Sequence, residues 1–287
     1  MPSRLTAIAV ALATLALPAR AGQSLVPAGL ERVPVALLVD LSAGQTLYAR
    51  HPDKPFRPAS MTKAMSALVA FDLIKAGRLD PQTIVIVDPG LARQWSGKGT
   101  TLSLRAGERI SVDRLIEGMV TVSANDATEV LARFAAGHRA EWIRLMNLRA
   151  RALGMDASTF GSPSGWPDGG KTMVTARDMI RLARALIEEH PDLYRRYFGH
   201  PAMAWRGTTL ASRSPFAGQF DGADGIKTGH TREAGYNFLG AVERNGRRLV
   251  LLVGGAPSEA ARAQPPVRWQ NGDIRPGRAA PWFQPDR

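Results

Sequence analysis

Hydrophobic and polar positions along the chain form two strand-rich ends and a helix-rich middle. Residues 33–50, VPVALLVDLSAGQTLYAR, hold two β-rich runs around the turn-forming segment 42–45, which predicts a hairpin. Residues 235–255, GYNFLGAVERNGRRLVLLVGG, hold two longer runs around Asn245-Gly246, the pair that favours a type I′ turn. Both ends of the chain are therefore expected to supply strands.

Apolar residues recur at helical spacing between these ends. Met65, Leu68 and Leu73 share one face of a helix that ends at Gly77. The same spacing predicts further helices over residues 112–120, 126–136 and 139–153, and a helix opened by a capping box at residues 175–178. The middle of the chain is therefore expected to be mainly helical.

Three shorter segments predict strands, and one long segment predicts a loop. The strands are a buried one in TIVIV (83–87), a pair around a turn in TTLSLRAGERISV (100–112), and one ending in Lys-Thr-Gly in DGIKTGH (224–230). Residues 156–174 are rich in Gly, Pro and Ser and predict the loop. This order predicts an α+β fold, with one antiparallel sheet built from both ends, flanked by helices, and a helical lobe inserted at about residues 88–185.

The N-terminal residues 1–21 have the pattern of a secretory signal peptide. Arg4 precedes an apolar run over residues 5–17, and Ala19-Arg20-Ala21 fits the cleavage pattern. An uncleaved anchor or a buried N-terminal helix is the alternative. The folded domain is expected over residues 22–255, followed by a Pro-rich irregular tail, 256–287, that lacks the pattern of a membrane anchor. We therefore expect an exported protein, periplasmic or otherwise extracytoplasmic.

Composition excludes several classes of site. The chain has no cysteine, which rules out disulfides, a thiolate nucleophile and cysteine-ligated metal. Its formal charge of +12 favours anionic surroundings such as a wall polymer, but the arginines are scattered, and export argues against nucleic acid. The five histidines, at positions 51, 138, 190, 200 and 230, are not spaced like the ligands of a metal site. We therefore expect no metal or cofactor, and we expect each histidine to lie at the surface.

A serine and a lysine stand three residues apart at the start of the first predicted helix. Residues three apart share a helix face, so the Lys63 amine can reach the Ser60 hydroxyl. A serine hydroxyl is a weak nucleophile until a base takes its proton. Lysine can be that base when burial or a neighbouring cation destabilises its ammonium. The pair therefore predicts an activated serine nucleophile.

Two further motifs could complete such a site. Ser123-Ala124-Asn125 offers a second hydroxyl and an amide that can hold a substrate peptide bond, although Asn125 or Asp126 could simply cap the next helix. Residues 227–230, Lys-Thr-Gly-His, combine a cation, a hydroxyl and a residue that lets a ligand approach the backbone. Lys171-Thr172 lacks the glycine and precedes no strand, so it ranks lower. The chain has only six lysines, and two of them fall in these motifs.

Taken together, these motifs resemble the serine-type D-alanyl-D-alanine carboxypeptidases, the low-molecular-mass penicillin-binding proteins. The resemblance covers about residues 30–255 and includes RPASMTK, SANDA, TARDM, GIKTGHT and AGYN. It implies a penicillin-binding, serine β-lactamase-like fold with the active site between the sheet domain and a helical lobe. It also implies a peptidoglycan stem peptide as substrate and β-lactams as covalent inhibitors.

The resemblance assigns catalytic roles to the first two motifs. Ser60 would be the acylated nucleophile, and Lys63 would accept its proton. Ser123 would relay a proton, and Asn125 would hold the substrate amide. The backbone N–H groups of Ser60 and His230 would form the oxyanion hole, in which one donor is typically worth ~10²–10³ in rate.

The resemblance assigns substrate binding to the third motif. Lys227 and Thr228 would bind the terminal carboxylate region beside Gly229. Arg213 falls where the family has its carboxylate-binding arginine, although it stands in ASRSPF where Asn neighbours are usual. Ser164 stands where related sequences often have Asn or His, which bears on fine specificity.

Three alternatives to a carboxypeptidase remain open at the level of sequence. A D,D-endopeptidase would use the same residues. A class A-like β-lactamase needs a glutamate in the loop after the second motif, and residues 142–187 contain none. A basic wall-binding protein with a vestigial site would fit the charge but not the complete motifs.

Overall fold

Strands from both ends of the chain form the main sheet. The computed structural model describes residues 30–219 and 221–263; the predicted signal peptide and the tail from residue 264 lie outside these residues. The strands are β1 (Val35–Asp40), β2 (Gln45–Arg50), β3 (Ile84–Ile86), β4 (Arg109–Ser111), β5 (Ala202–Trp205), β6 (Thr208–Ala211), β7 (Lys227–Thr231), β8 (Gly235–Arg244) and β9 (Arg247–Ala256). Five of them form an antiparallel sheet in the order β2-β1-β9-β8-β7.

The sheet is covered on both faces. The helices are α1 (Lys63–Lys75), α2 (Pro89–Trp95), α3 (Val112–Thr121), α4 (Asn125–Ala136), α5 (Arg139–Ala152), α6 (Ala176–Glu189), α7 (Pro191–Tyr197) and α8 (Glu259–Ala263). Leu37 and Val39 of β1 belong to the larger apolar core, which includes α1 and α6. Ala36 and Leu38 point the other way, into a smaller core with Phe216. Residues 35–39 of β1 are therefore all apolar rather than alternating with polar ones.

Helix α1 lies at the centre of the molecule. Ten of its thirteen residues are buried, because α3, α4, α5 and α6 all contact it. Its hydrophobic residues consequently surround the helix instead of forming a single stripe. A one-turn 3₁₀ helix, Ala59–Thr62, leads into it and carries Ser60. Among the described residues, no helix is both long and apolar enough to cross a bilayer.

The predicted α+β class and both terminal hairpins are confirmed, but several shorter predictions are wrong. Ile84 and Ile86 are exposed, so the segment TIVIV, predicted as a buried strand, buries only Val85 and Val87. Residues 101–105 form no strand; two of their backbone N–H groups donate to the Asp126 carboxylate instead of to a β-ladder. Helix α8 lies within the tail predicted to be irregular.

The position of the third motif, Lys-Thr-Gly-His, within its strand also differs from the prediction. Lys227 begins strand β7 instead of standing near its end, because residues 224–226 are not part of the strand. The segment before it contains helix α7 and the β5–β6 hairpin, neither of which the sequence predicts. Both are short, and so gave little periodic signal.

Candidate active site

Ser60 lies where the 3₁₀ turn before α1 meets strand β7. Gly229 makes this contact possible, because a Cβ at that position would lie 2.2 Å from the Pro58 carbonyl oxygen and 3.2 Å from the Ser60 nitrogen. A larger residue would push the strand away from the turn. The glycine of the Lys-Thr-Gly motif therefore brings the β7 backbone beside Ser60.

Lys63 is fully buried and contacts residues of the first two motifs and of the loop that carries Ser164. Its Nζ lies 2.9 Å from Ser60 Oγ, 2.7 Å from Asn125 Oδ1 and 2.7 Å from the backbone oxygen of Ser164. Burial lowers the pKa of Lys63 well below its usual value, and the positive charge of Lys227 lowers it further. The free amine can take the Ser60 proton across the 2.9 Å contact.

Lys227 is also buried, and its charge is unfavourable there. Burial, followed by the nearby guanidinium groups of Arg262 and Arg213, lowers the pKa of Lys227 to about 7. Thr228 Oγ1 donates to the backbone oxygen of Arg213 at 3.3 Å, which ties that arginine's backbone to β7. The positive charges of Lys227, Arg262 and Arg213 repel one another, so a bound carboxylate would be attracted to all three.

The second motif is a tight turn before α4. Ser123 has a φ of 67°, a left-handed conformation uncommon for residues other than glycine. Asn125 accepts from Lys63 and donates through Nδ2 to the backbone oxygen of Lys98 at 2.9 Å. The N-cap of α4 is Ala124, which makes no side-chain cap, but the Asp126 carboxylate accepts from the backbone N–H of Ala127 in the first turn at 2.8 Å.

These residues open onto one cleft with a volume of about 440 Å³. Its walls include seven predicted residues, namely Ser60, Ser123, Asn125, Thr228, Gly229, His230 and Arg213. Lys63 and Lys227 lie behind the walls and are at most 2% exposed. All nine predicted site residues therefore belong to one site.

Sequence reasoning missed a second arginine that lines this cleft beside Arg213. Arg262 of α8 lines it, is only 5% exposed, and pairs with Glu259. Its guanidinium lies 5.5 Å from the ring centre of Tyr236, and its Nε has no hydrogen-bond partner. The Tyr236 ring in turn stacks on His230, with centroids 4.0 Å apart. No local pattern marks Arg262, because it stands in a segment predicted to be irregular.

The prediction of surface histidines is wrong for His190. It is buried and contacts Asp72, while the other four histidines are exposed. Asp72, Glu189 and His190 bring ligand-type atoms within 4.8 Å of one another. Arg149 forms ion pairs with both carboxylates, so a guanidinium already supplies the positive charge at this cluster.

Comparison with known proteins agrees with the geometry. The sequence profile of the D-alanyl-D-alanine carboxypeptidase family matches residues 32–258. The chain is 32% identical over 240 residues to the D-alanyl-D-alanine carboxypeptidase DacD of Escherichia coli strain K12, covering 81% of this chain and 61% of that protein. It is 28% identical over 232 residues to DacF of Bacillus subtilis strain 168, covering 79% and 58%. The chain thus spans about three fifths of the length of these curated relatives.

Solved structures share the same fold. DacD from Francisella tularensis superimposes with a TM-score of 0.75 at 27% identity, covering 93% of this chain and 73% of that one. Penicillin-binding protein D2 from Listeria monocytogenes, in its ampicillin-bound form, gives 0.71 at 31% identity, covering 80% and 92%. The penicillin-binding fold is therefore confirmed.

Proposed function

Because this chain belongs to the D-alanyl-D-alanine carboxypeptidase family, we propose that it removes the terminal D-alanine from peptidoglycan stem peptides. The proposal is supported above all by the 2.9 Å contact between Ser60 Oγ and a fully buried Lys63 amine. A buried lysine beside a second buried lysine is costly to folding. Such an arrangement is expected where an amine must work as a base near neutral pH.

Acylation follows from these positions. The Ser60 proton passes to Lys63 Nζ as Oγ attacks the carbonyl carbon of the terminal peptide bond. Negative charge develops on the carbonyl oxygen, next to the backbone N–H groups of Ser60 and His230. The C–N bond then breaks, and D-alanine leaves with a proton relayed from Lys63 through Ser123. Water releases the shortened peptide from Ser60 by the reverse sequence of proton transfers.

The cations at one end of the cleft favour a carboxypeptidase over an endopeptidase. A substrate with a free C-terminal carboxylate neutralises the mutual repulsion of Arg213, Arg262 and Lys227, whereas an internal peptide bond brings no such charge. Thr228 adds a hydroxyl donor on the same side. β-Lactams carry a comparable carboxylate, which supports the proposal that they acylate the same serine.

We place this activity outside the cytoplasm. The predicted signal peptide over residues 1–21 supports that location, as does the peptidoglycan substrate of the proposed reaction. Cell fractionation of the expressed full chain tests it, with a mature N-terminus near Gly22 expected by mass spectrometry. Retention of the whole protein in the cytoplasm would contradict the assignment.

Mass spectrometry of the purified protein after incubation with a penicillin tests the activity. The ring opens without losing a group, so we expect a lasting adduct of the full penicillin mass on Ser60. It should be absent in Ser60→Ala and Lys63→Ala and present in Ser96→Ala, which changes an exposed serine outside the cleft. Digestion of a pentapeptide should then release only its last D-alanine. An adduct that disappears within seconds would instead indicate a β-lactamase, and no adduct would indicate a wall-binding protein.

A further inference from the structure

A buried acid lies behind the proposed catalytic lysine and has no part in the reaction described above. Glu129 of α4 has a side chain only 3% exposed. One of its oxygens accepts from Ser164 Oγ at 3.0 Å, and the other pairs with Arg139 Nε at 3.2 Å. Buried carboxylates are uncommon unless they are paired, and this one is paired on both sides.

Ser164 connects this acid to Lys63. Its side-chain oxygen donates to Glu129, while its backbone oxygen accepts from Lys63 Nζ at 2.7 Å. The residue is fully buried, so water does not screen the contacts. A single loop residue therefore holds both the carboxylate and the amine in place.

We propose that Glu129 is a positioning residue that sets the pH at which Lys63 becomes a free base, through its negative charge and through its bond to Ser164. The proposal rests on the proposed function, since it takes Lys63 to be the base that activates Ser60. It assigns a role to a residue on α4 that lies outside all three sequence motifs and does not line the cleft.

The charges around Lys63 fix the sign of the effect. Lys227 on β7 lowers the pKa of Lys63, while Glu129 and Asp126 on α4 raise it. Asp126 is occupied by the backbone N–H groups of residues 102 and 104, and Arg139 on α5 faces Glu129. Burial raises the pKa of Glu129, and the Arg139 charge opposes that rise. An ionised Glu129 therefore favours the ammonium form of Lys63, and its removal favours the free amine.

The test is the pH dependence of acylation by a penicillin. The rate should rise with pH as Lys63 loses its proton, which gives an acid limb with a measurable midpoint. Glu129→Gln keeps an acceptor for Ser164 but removes the charge, so its midpoint should move to lower pH by about half to one unit. Glu129→Asp keeps the charge and should keep the parent midpoint even if its maximal rate falls.

A matched control is available on the neighbouring helix. Glu141 of α5 is paired with Arg144 at the surface, where solvent screens its charge. Glu141→Gln should leave the midpoint where it is in the parent. A purely structural role for Glu129 would lower the rate at every pH without moving the midpoint.

The outcomes separate this proposal from the proposed function. It is overturned if Glu129→Gln acylates with the parent midpoint or with a higher one. If that variant does not fold, a downward shift in Glu129→Asp would overturn it equally, because the charge is still present there. A parent protein that forms no adduct at any pH would instead remove the proposed function, and this proposal with it.

Discussion

Replacing Lys227 with methionine should stabilise the protein while abolishing efficient acylation. Lys227 is 2% exposed, and its pKa is lowered to about 7, mainly by burial. Its ammonium form is therefore less stable in the folded protein than in the unfolded chain. Methionine has a similar length, carries no charge and adapts well to irregular cavities.

The size of the effect follows from linkage between protonation and folding. The pKa of Lys227 falls from 10.5 to about 7 on folding. Lowering a pKa by one corresponds to about 1.4 kcal/mol, so the full penalty is roughly 5 kcal/mol. Below pH 7 both the folded and the unfolded states hold the proton, so the whole penalty applies. Between pH 7 and 10.5 only the unfolded state holds the proton. The free energy of unfolding of the parent therefore rises by about 1.4 kcal/mol for each pH unit in this range.

Urea unfolding of the parent and Lys227→Met at a series of pH values measures this difference. The variant should be more stable by up to roughly 5 kcal/mol at about pH 6, and its advantage should shrink steadily above about pH 7. Lys54→Met, which changes an exposed lysine, should show no such pH-dependent gain. A difference between parent and variant that stays constant across this pH range would refute the linkage. A less stable variant on the acid side would show that Lys227 is not strained.

Two further substitutions test how the cleft is held. Gly165 has a φ of 74°, and a Cβ at this position would lie 1.9 Å from the Ala59 carbonyl oxygen. Gly165→Ala should therefore displace the backbone next to Ser60 and slow penicillin acylation at least about tenfold. Gly169→Ala, with the same φ sign but no atom within 4 Å, should cost only about 1 kcal/mol and acylate normally. Asp126→Ala should cost about 2–5 kcal/mol by urea unfolding, because three buried backbone N–H groups lose their acceptor. Asp80→Ala at the surface should cost under about 1 kcal/mol. Equal effects within either pair would contradict the reasoning.

The sequence could predict the site because its residues are chemically unusual. Lys63 and Lys227 stand in short motifs in a chain with few lysines, and each motif has a distinct chemical requirement. The terminal hairpins were equally accessible, since their β-rich runs flank recognisable turns. Such features are local, so a single sequence displays them.

Other features depend on contacts between distant segments. Arg262 enters the cleft only because α8 follows β9 back across the sheet, and nothing local marks that path. Glu129 stands at an ordinary position of a predicted helix, so the sequence gives no sign that it is buried. Its burial depends on the distant loop residue Ser164, which donates to its carboxylate. Residues 101–105 alternate like a strand, but the Asp126 carboxylate takes two of their N–H groups. Tertiary hydrogen bonding thus overrode the local pattern.

The strand order of the main sheet has a consequence for how the molecule assembles. Strand β1 pairs with β9, which lies near the other end of the described chain. A chain that emerges N-terminus first therefore cannot close this sheet until almost all of it is available, and closing so long a loop slows folding. Until then, the β1–β2 hairpin presents an unpaired apolar edge to its surroundings. Ser60, the proposed nucleophile, accordingly acquires its neighbours from β7 only late in folding, so we expect an incompletely synthesised chain to carry no working site.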